Sequence, residues 1–214
     1  ANRKRLRFRG PAHREVRRGK TYRYRVRLPR IHFDAAFTRR LRRGDHVGLL
    51  AARWPSAVAA GNVETSQRVT DLLFAALADA GVAVPAQGQG TMNNLTFGGE
   101  GWTFYETLGG GQGASAKGAG PSAVHVGMSN TRNTPIESLE RSYPIVIDEY
   151  AVRRRSGGAG EFAGGDGVVR RYRVLERCTV TLLSERRTRA PRGAMGGADG
   201  RTGSNLLNGQ ALPA

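Results

Sequence analysis

The sequence predicts a mixed α/β fold in which one main helix packs on mostly antiparallel or mixed strands joined by long glycine-rich loops. Apolar residues recur at helical spacing over residues 63–80. Several later segments instead alternate apolar and polar residues between turn-forming stretches, as half-buried strands do. The chain also has 30 glycines among 214 residues, so loops should form a large part of it.

The positive charge of the chain lies mainly at its amino-terminal end. The net charge is +17, and residues 1–46 alone carry 17 Lys and Arg against 3 acidic residues. Clustered arginines interleaved with Tyr22 and Tyr24 favour a nucleic-acid-binding arm, whereas the scarcity of apolar residues favours a solvated or disordered one. Arg-rich sequence with little Lys, beginning without Met, favours a third interpretation, a frame-shifted or fragmentary segment. We therefore expect a basic arm at 1–46 and a body at 47–214.

The cysteine count and the lengths of the apolar runs indicate the cellular compartment of the protein. Cys178 is the only cysteine, so an internal disulfide is excluded and a reducing environment fits. No apolar run approaches the roughly 18 residues of a membrane-spanning helix, and no signal-peptide pattern opens the chain. We expect a cytoplasmic protein.

The main helix is predicted over residues 63–80. Asn62 suits the N-cap, Glu64 suits the first turn next to the positive end of the helix dipole, and Gly81 supplies a stop. The polar residues at the helix start have two interpretations. They either cap free N–H groups, or they hold an anion together with Glu64 and Gln67.

The remaining elements follow in order. We predict strands at 102–108, 122–128 and 143–153, one helical turn at 136–141, a strand pair at 168–174 and 179–184, and glycine-rich loops at 109–120 and 196–208.

The stretch 89–113 contains the densest set of candidate site residues. It places the adjacent amides Asn93 and Asn94, the pair Tyr105 and Glu106, and the triple glycine Gly109–Gly111 within 25 residues. Glycine lets a ligand approach bare backbone N–H groups, and a carboxylate beside such a loop is a candidate general acid or base. The chain has no GxxxxGK[ST] loop for ATP, and its four histidines show no metal-ligand spacing.

Five blocks of the sequence together resemble the hydantoinase B/5-oxoprolinase family, over roughly residues 47–210. They are Gly61–Gln67, Gln89–Asn94, Tyr105–Gly111, Asn130–Pro135 with Glu137 and Glu140, and Ser156–Gly160 with Gly164–Gly167.

The resemblance implies a carboxyl-terminal fragment of an ATP-dependent cyclic-amide hydrolase subunit of the 5-oxoprolinase or N-methylhydantoinase type. In such enzymes a lactam or imide is activated by phosphorylation and water then opens the ring. The resemblance further implies a hetero-oligomer in which a hydantoinase A-type subunit, or a missing half, binds ATP. A divalent metal would have its ligands outside this chain. An acetone-carboxylase-like subunit fragment and a nucleic-acid-binding protein are the alternatives.

Carried onto this sequence, the resemblance implies catalytic roles for Glu106, which would orient water, and for Tyr105 and Asn94. It implies substrate-binding roles for Asn62, Glu64, Asn93, Gly110, Gly111, Asn130 and Arg132. Arg132 would pair with a substrate carboxylate or phosphate; alternatively, it forms an ion pair with Glu137 or Glu140. The expectation that follows is spatial: Asn94, Glu106 and Arg132 should share one pocket.

Overall fold

A computed structural model describes residues 63–212 and confirms the mixed α/β class. Within that range lie two helices and seven strands, which we label in chain order. They are α1 (Glu64–Asp79), β1 (Asn94–Gly99), β2 (Trp102–Thr107), α2 (Ile136–Ser142), β3 (Ile145–Arg153), β4 (Gly167–Val174), β5 (Thr179–Leu183), β6 (Leu206–Leu207) and β7 (Gln210–Ala211).

Helix α1 agrees with its predicted bounds to within one residue at each end. Val63 occupies the N-cap position without a side-chain capping hydrogen bond, while the predicted cap Asn62 lies outside the described residues. At the other end Gly81 has φ +75°, and the N–H of Val82 donates to the carbonyl of Leu77 at 2.9 Å. This left-handed closure is the predicted glycine stop. Neither α1 nor α2 is long and apolar enough to cross a membrane.

Two antiparallel sheets carry the body of the fold. One has the order β2-β1-β5, and the other pairs β3 with β4. The central strand β1 was not predicted, and the predicted pairing of 168–174 with 179–184 is wrong, because β4 pairs with β3 and β5 with β1. The predicted strand at 122–128 is also wrong, since only Val124 forms an isolated bridge, to Gly110. Alternation of apolar and polar residues indicates a half-buried strand, but it does not determine which strand pairs with it.

The hydrophobic core lies between the two sheets and under α2. It consists of Leu95, Phe97, Phe104, Leu139 and Ile145. Two tyrosine rings, one from β4 and one from the residues before β3, pack onto this cluster. The ring centroid of Tyr172 lies 5.2 Å from that of Phe97, and the centroid of Tyr143 lies 5.1 Å from that of Phe104. The aromatic contacts therefore join the three-stranded sheet to β4 and to the segment before β3.

The glycine-rich loops pack on one another backbone to backbone. A Cβ on Gly111 would lie 1.9 Å from the carbonyl oxygen of Gly165, and a Cβ on Gly165 would lie 2.0 Å from that of Pro121. Such distances exclude any side chain at these positions. The close approach of one loop to the next therefore explains glycine there, without a ligand.

We expect Gly111→Ala to lower the free energy of unfolding by about 1–3 kcal/mol, as overpacking does. Gly98→Ala is the matched control, because a Cβ there meets no atom within 4 Å and Gly98 lies in a strand. Urea unfolding of both variants measures the difference. Equal midpoints for Gly111→Ala and Gly98→Ala would contradict the packing argument.

Candidate functional site

The predicted catalytic residues lie on two faces of the same sheet. Neighbouring residues of a strand point to opposite sides, so Tyr105 and Glu106 of β2 diverge. Tyr105 is 52% exposed, and its hydroxyl donates to Oδ1 of Asn94 at 2.8 Å on the outer face. Glu106 is buried with Phe104 on the core-facing side. The expectation that Asn94 and Glu106 share one pocket is therefore wrong.

The Glu106 carboxylate is surrounded by donors of the protein. The Arg170 guanidinium places Nε 3.1 Å from Oε2 and donates from Nη2 to Oε1 at 3.2 Å. The Tyr172 hydroxyl donates to Oε2 at 2.8 Å, and the Thr134 amide donates to Oε1 at 3.2 Å. A carboxylate has about four acceptor positions. Three of these donors form hydrogen bonds with the carboxylate and Nε of Arg170 adds a close charge contact, so Glu106 acts as a structural anion held by donors of the protein itself.

The same ion pair holds the loop before α2. Arg170 lies over the ring of Tyr150 at 4.2 Å, and the Tyr150 hydroxyl donates to Oδ1 of Asn133 at 2.9 Å. Nδ2 of Asn133 in turn donates to the carbonyl of Thr107 at 2.8 Å. Burial, and then the negative charge of Glu106, raise the pKa of Tyr172 far above its usual value. Cation–π and hydrogen-bond contacts thus connect β2, β3 and β4 to this loop.

The other predicted substrate-binding residues of this region stand apart from that cluster. Asn130 and Arg132 are exposed, and within residues 63–212 the Arg132 side chain forms no ion pair with Glu137 or Glu140. Glu140 instead accepts a hydrogen bond from the amide of Ile147 at 2.9 Å.

The start of α1 is tied to two loops. Gln67 is buried, and its Nε2 donates to the carbonyl of Gly90 at 2.9 Å and to that of Val126 at 3.2 Å. Glu64 lies close enough to Tyr105 that, after burial, its charge raises the pKa of the Tyr105 hydroxyl. The helix start therefore fixes the segments that precede β1 and follow the glycine loop.

A cavity of about 1020 Å³ lies between the glycine loops and the strands β1, β4 and β5. Of the predicted site residues it is lined by Asn93, Gly110 and Gly111, whereas Asn94, Tyr105, Glu106, Asn130 and Arg132 do not line it. Seven arginines and a single acid, Glu161, are among its lining residues. The arginines are Arg153, Arg170, Arg171, Arg186, Arg187, Arg192 and Arg201. Four of these arginines form ion pairs with acids outside the lining, so the uncompensated positive charge of the cavity comes from Arg153, Arg187 and Arg201.

Asn93 connects β1 to the segment that follows β5. It has φ +48°, a left-handed conformation that Asn adopts more readily than most residues. Its Oδ1 accepts hydrogen bonds from the amide of Glu185 at 3.1 Å and from Nη1 of Arg187 at 3.5 Å. Next to it, Arg186 pairs with Asp71 of α1; burial lowers the pKa of Arg186 and raises that of Asp71. Sequence reasoning missed Arg186 and Arg187, which follow a predicted strand without a recognisable motif.

Asp166 holds one of the loops that wall the cavity. Its Oδ1 accepts hydrogen bonds from the amides of Gly157 at 2.9 Å and Ser156 at 2.8 Å, which keep the pKa of Asp166 below its usual range. The unfolded chain therefore binds this proton at higher pH than the folded protein, so the stabilisation is present above about pH 4 and is lost as the pH falls below it.

We accordingly expect Asp166→Asn to make the free energy of unfolding less dependent on pH between about 5 and 3. The contribution is modest because Asp166 is partly solvated. Urea unfolding at several pH values measures the slope for both proteins. Parallel slopes would show that the carboxylate does not stabilise the loop.

A cluster suited to a metal ion is not found in the described part of the chain: no three His, Cys, Asp or Glu side chains are grouped in that way between residues 63 and 212.

The chain belongs to the hydantoinase B/oxoprolinase family, whose model matches residues 36–212. This finding confirms the resemblance drawn from the five sequence blocks. The match begins before residue 47, so the last eleven residues of the predicted basic arm fall within the family, contrary to the expectation that the likeness starts at the body.

Similar proteins support the same placement. The chain is 48% identical over 159 residues to a 5-oxoprolinase of Dictyostelium discoideum, covering 74% of this chain and 12% of that protein. It is 45% identical over 152 residues to 5-oxoprolinase 1 of Arabidopsis thaliana, with 71% and 12% covered. The B-type component of a putative D-/L-hydantoinase from a Pseudomonas species is 30% identical over 140 residues, with 64% and 24% covered. The chain thus spans about 12% of the length of these 5-oxoprolinases.

Among solved structures, the nucleotide-free structure of acetone carboxylase matches with a TM-score of 0.46 and 24% sequence identity. The match covers 56% of this chain and 17% of that one.

Proposed function

We propose that this chain is the carboxyl-terminal part of a hydantoinase B-type subunit of an ATP-dependent cyclic-amide hydrolase, of the 5-oxoprolinase or N-methylhydantoinase type. The observation that carries the proposal is the 48% identity with a 5-oxoprolinase over 159 residues. In the proposed reaction the ring amide is phosphorylated at the expense of ATP, and water then opens the ring.

Following the family resemblance, the proposal assigns ATP binding to a hydantoinase A-type partner subunit or to another part of a longer chain, which agrees with the lack of a GxxxxGK[ST] motif in this sequence. The active assembly would then be a hetero-oligomer. A divalent metal, if the reaction uses one, would be held by residues outside the described part of this chain.

Within this chain, the proposal assigns the cyclic amide to the arginine-lined cavity. Ring opening of a phosphorylated amide develops negative charge on the phosphate and on a tetrahedral oxygen, and fixed donors stabilise such charge. Asn93, the N–H of Gly111 and the cavity arginines are the donors at hand. Glu106 would act through Arg170 as a positioning residue, while catalytic roles for Tyr105 and Asn94 stay predictions.

The proposal is tested on the complete hydantoinase B-type subunit that contains this sequence, produced together with its A-type partner. We expect 5-oxoproline or N-methylhydantoin to be opened with one ADP formed per ring, and no opening without ATP. Chromatography of the ring-opened product and an ADP assay measure both quantities. A pure, folded complex that opens neither ring in the presence of ATP would refute the proposal, and salt-dependent binding of arbitrary DNA would favour the nucleic-acid alternative instead.

A further inference from the structure

The hydrophobic core is covered over β1 but is open over β5. Val180 of β5 pairs with Phe97 of β1, and both side chains lie on the same face of the sheet. Phe97 is 3% exposed, whereas Val180 is 44% exposed. The next pair on this face repeats the contrast, because Leu95 is 5% exposed and its partner Leu182 is 39% exposed. The row of core residues therefore continues onto β5, but the layer that covers it ends at β1.

The outer edge of β5 is also unprotected. In the order β2-β1-β5 this strand pairs with β1 on one side, and no other strand among residues 63–212 pairs with its second side. All five of its residues are exposed, and its sequence contains neither a charge nor a proline. Natural proteins protect an edge strand with charged residues, proline or a bulge, because its outward N–H and C=O groups are free to pair. In sequence and apolar content, β5 therefore has the features of an interior strand.

The cavity lies on the uncovered face of β5. Val180 and Leu182 line it, together with Leu206, Leu207 and Leu212 of the carboxyl-terminal segment. Its volume of about 1020 Å³ is at the upper end of the range for sites that enclose drug-sized ligands. A small cyclic amide beside the arginines and the glycine loops would leave most of that volume unfilled. The apolar side of the cavity therefore has room for a second occupant.

Chain length and charge indicate what that occupant is. The chain spans 12% of the 5-oxoprolinases and 24% of the B-type hydantoinase component, so most of the proposed subunit lies outside it. The cavity-lining residues Arg153 and Arg201 form no ion pair with an acid between residues 63 and 212. A second copy docked on this face would bring these positive charges together, which is unfavourable. An apolar segment of the same subunit with acidic flanking residues suits both the leucines and the arginines.

We propose that β5 pairs with an extended apolar segment from the part of the B-type subunit outside this chain, so that the three-stranded sheet gains a fourth strand. Alternate side chains of that segment fill the cavity over Val180 and Leu182, and its acidic residues face Arg153 and Arg201. This inference rests on the proposed function, which makes this chain one part of a longer subunit.

The test is residue-resolved hydrogen exchange on the complete B-type subunit that contains this sequence. In a free edge strand only alternate amides are hydrogen-bonded, whereas in an interior strand all of them are. We expect the amides of β5 that point away from β1 to exchange about 100-fold more slowly than unprotected amides. Free exchange of these outward amides, with protection of those that face β1, would overturn the proposal.

Two variants of β5 locate the docked face. Leu182→Asn should speed exchange of the outward amides about 10-fold or more, because it places a polar group where the segment would bury apolar surface. Thr181→Asn is the matched control, since Thr181 is exposed on the opposite face of the same strand and does not line the cavity. Thermal unfolding verifies that each variant is folded. Equal exchange in Leu182→Asn and Thr181→Asn would overturn docking over the cavity.

Hydrogen exchange does not depend on turnover, so the two proposals can fail separately. If the subunit and its A-type partner open no ring while every amide of β5 is protected, the proposed function fails and the docked strand stands. If rings are opened while the outward amides exchange freely, the docked strand is overturned. Protection that rises with subunit concentration would assign the edge to a second copy, and protection that requires the A-type partner would assign it to that subunit. Either result would also overturn the proposal.

Discussion

Replacing Glu106 by Gln is expected to lower the free energy of unfolding by about 3–5 kcal/mol, the cost of breaking a buried ion pair from one side. The Glu106 and Arg170 side chains are only 3% and 1% exposed. Gln cannot neutralise the guanidinium, so Arg170 would keep a buried positive charge. The substitution also weakens the contacts of the Tyr172 hydroxyl and the Thr134 amide with this carboxylate.

Glu149→Gln provides the matched control on the same sheet. Its partner Arg171 is 66% exposed, so water already solvates that ion pair and the loss should stay below about 1 kcal/mol. Urea unfolding of both variants, with Arg170→Met and the Glu106→Gln/Arg170→Met double variant, completes a thermodynamic cycle. The double variant should cost less than the two single changes together, because neither charge is left alone. Additive effects would mean that the pair is not coupled.

The positions of Tyr105 and Glu106 show which part of the site the sequence could predict. Their segment alternates as a strand and was predicted as one, and strand geometry alone requires that adjacent side chains diverge. Treating them as one catalytic pair contradicted that prediction. Arg170 and Tyr172 lie two residues apart in the predicted strand 168–174, so the same rule places their side chains on one face of β4, although neither was named as a site candidate from the sequence.

Strand pairing could not be predicted from the sequence, for a physical reason. The segments 168–174 and 179–184 are separated by a connection short enough for a hairpin, and local pattern favours that pairing. The structure instead pairs β4 with β3 over eight residue pairs and places β5 beside β1. Non-local pairing is decided by which faces bury the core together, and this information is spread over the whole chain.

The purpose of the glycine runs could not be determined from the sequence, for a related reason. A run such as Gly109–Gly111 is compatible with a ligand site and equally with loops packed against each other, since both need backbone without side chains. Gly111 meets the carbonyl of Gly165, which is distant in sequence. Composition therefore predicted permissive backbone correctly, while the neighbour that requires it became visible only in three dimensions.

Replacing Leu139 by Ala is expected to lower the free energy of unfolding by about 2–5 kcal/mol, because it leaves a cavity in the core. Leu139 is 0% exposed and belongs to α2, whose preceding residues include Thr134. Its packing thus anchors the loop that donates to Glu106. The matched control is Leu72→Ala on α1, where the side chain is 63% exposed and the loss should stay within about 0.5 kcal/mol.

Hydrogen exchange distinguishes a general loss of stability in Leu139→Ala from a displacement of the loop that contains Thr134. If Leu139 holds the loop on the carboxylate, the Thr134 amide should exchange faster in Leu139→Ala under conditions where the variant is still folded, while amides of the β3–β4 ladder keep their protection. Unchanged exchange at Thr134 would mean that the loop is fixed by Asn133 and its contacts to Thr107 and Tyr150 alone. The core and the buried ion pair would then be independent supports of the cavity wall.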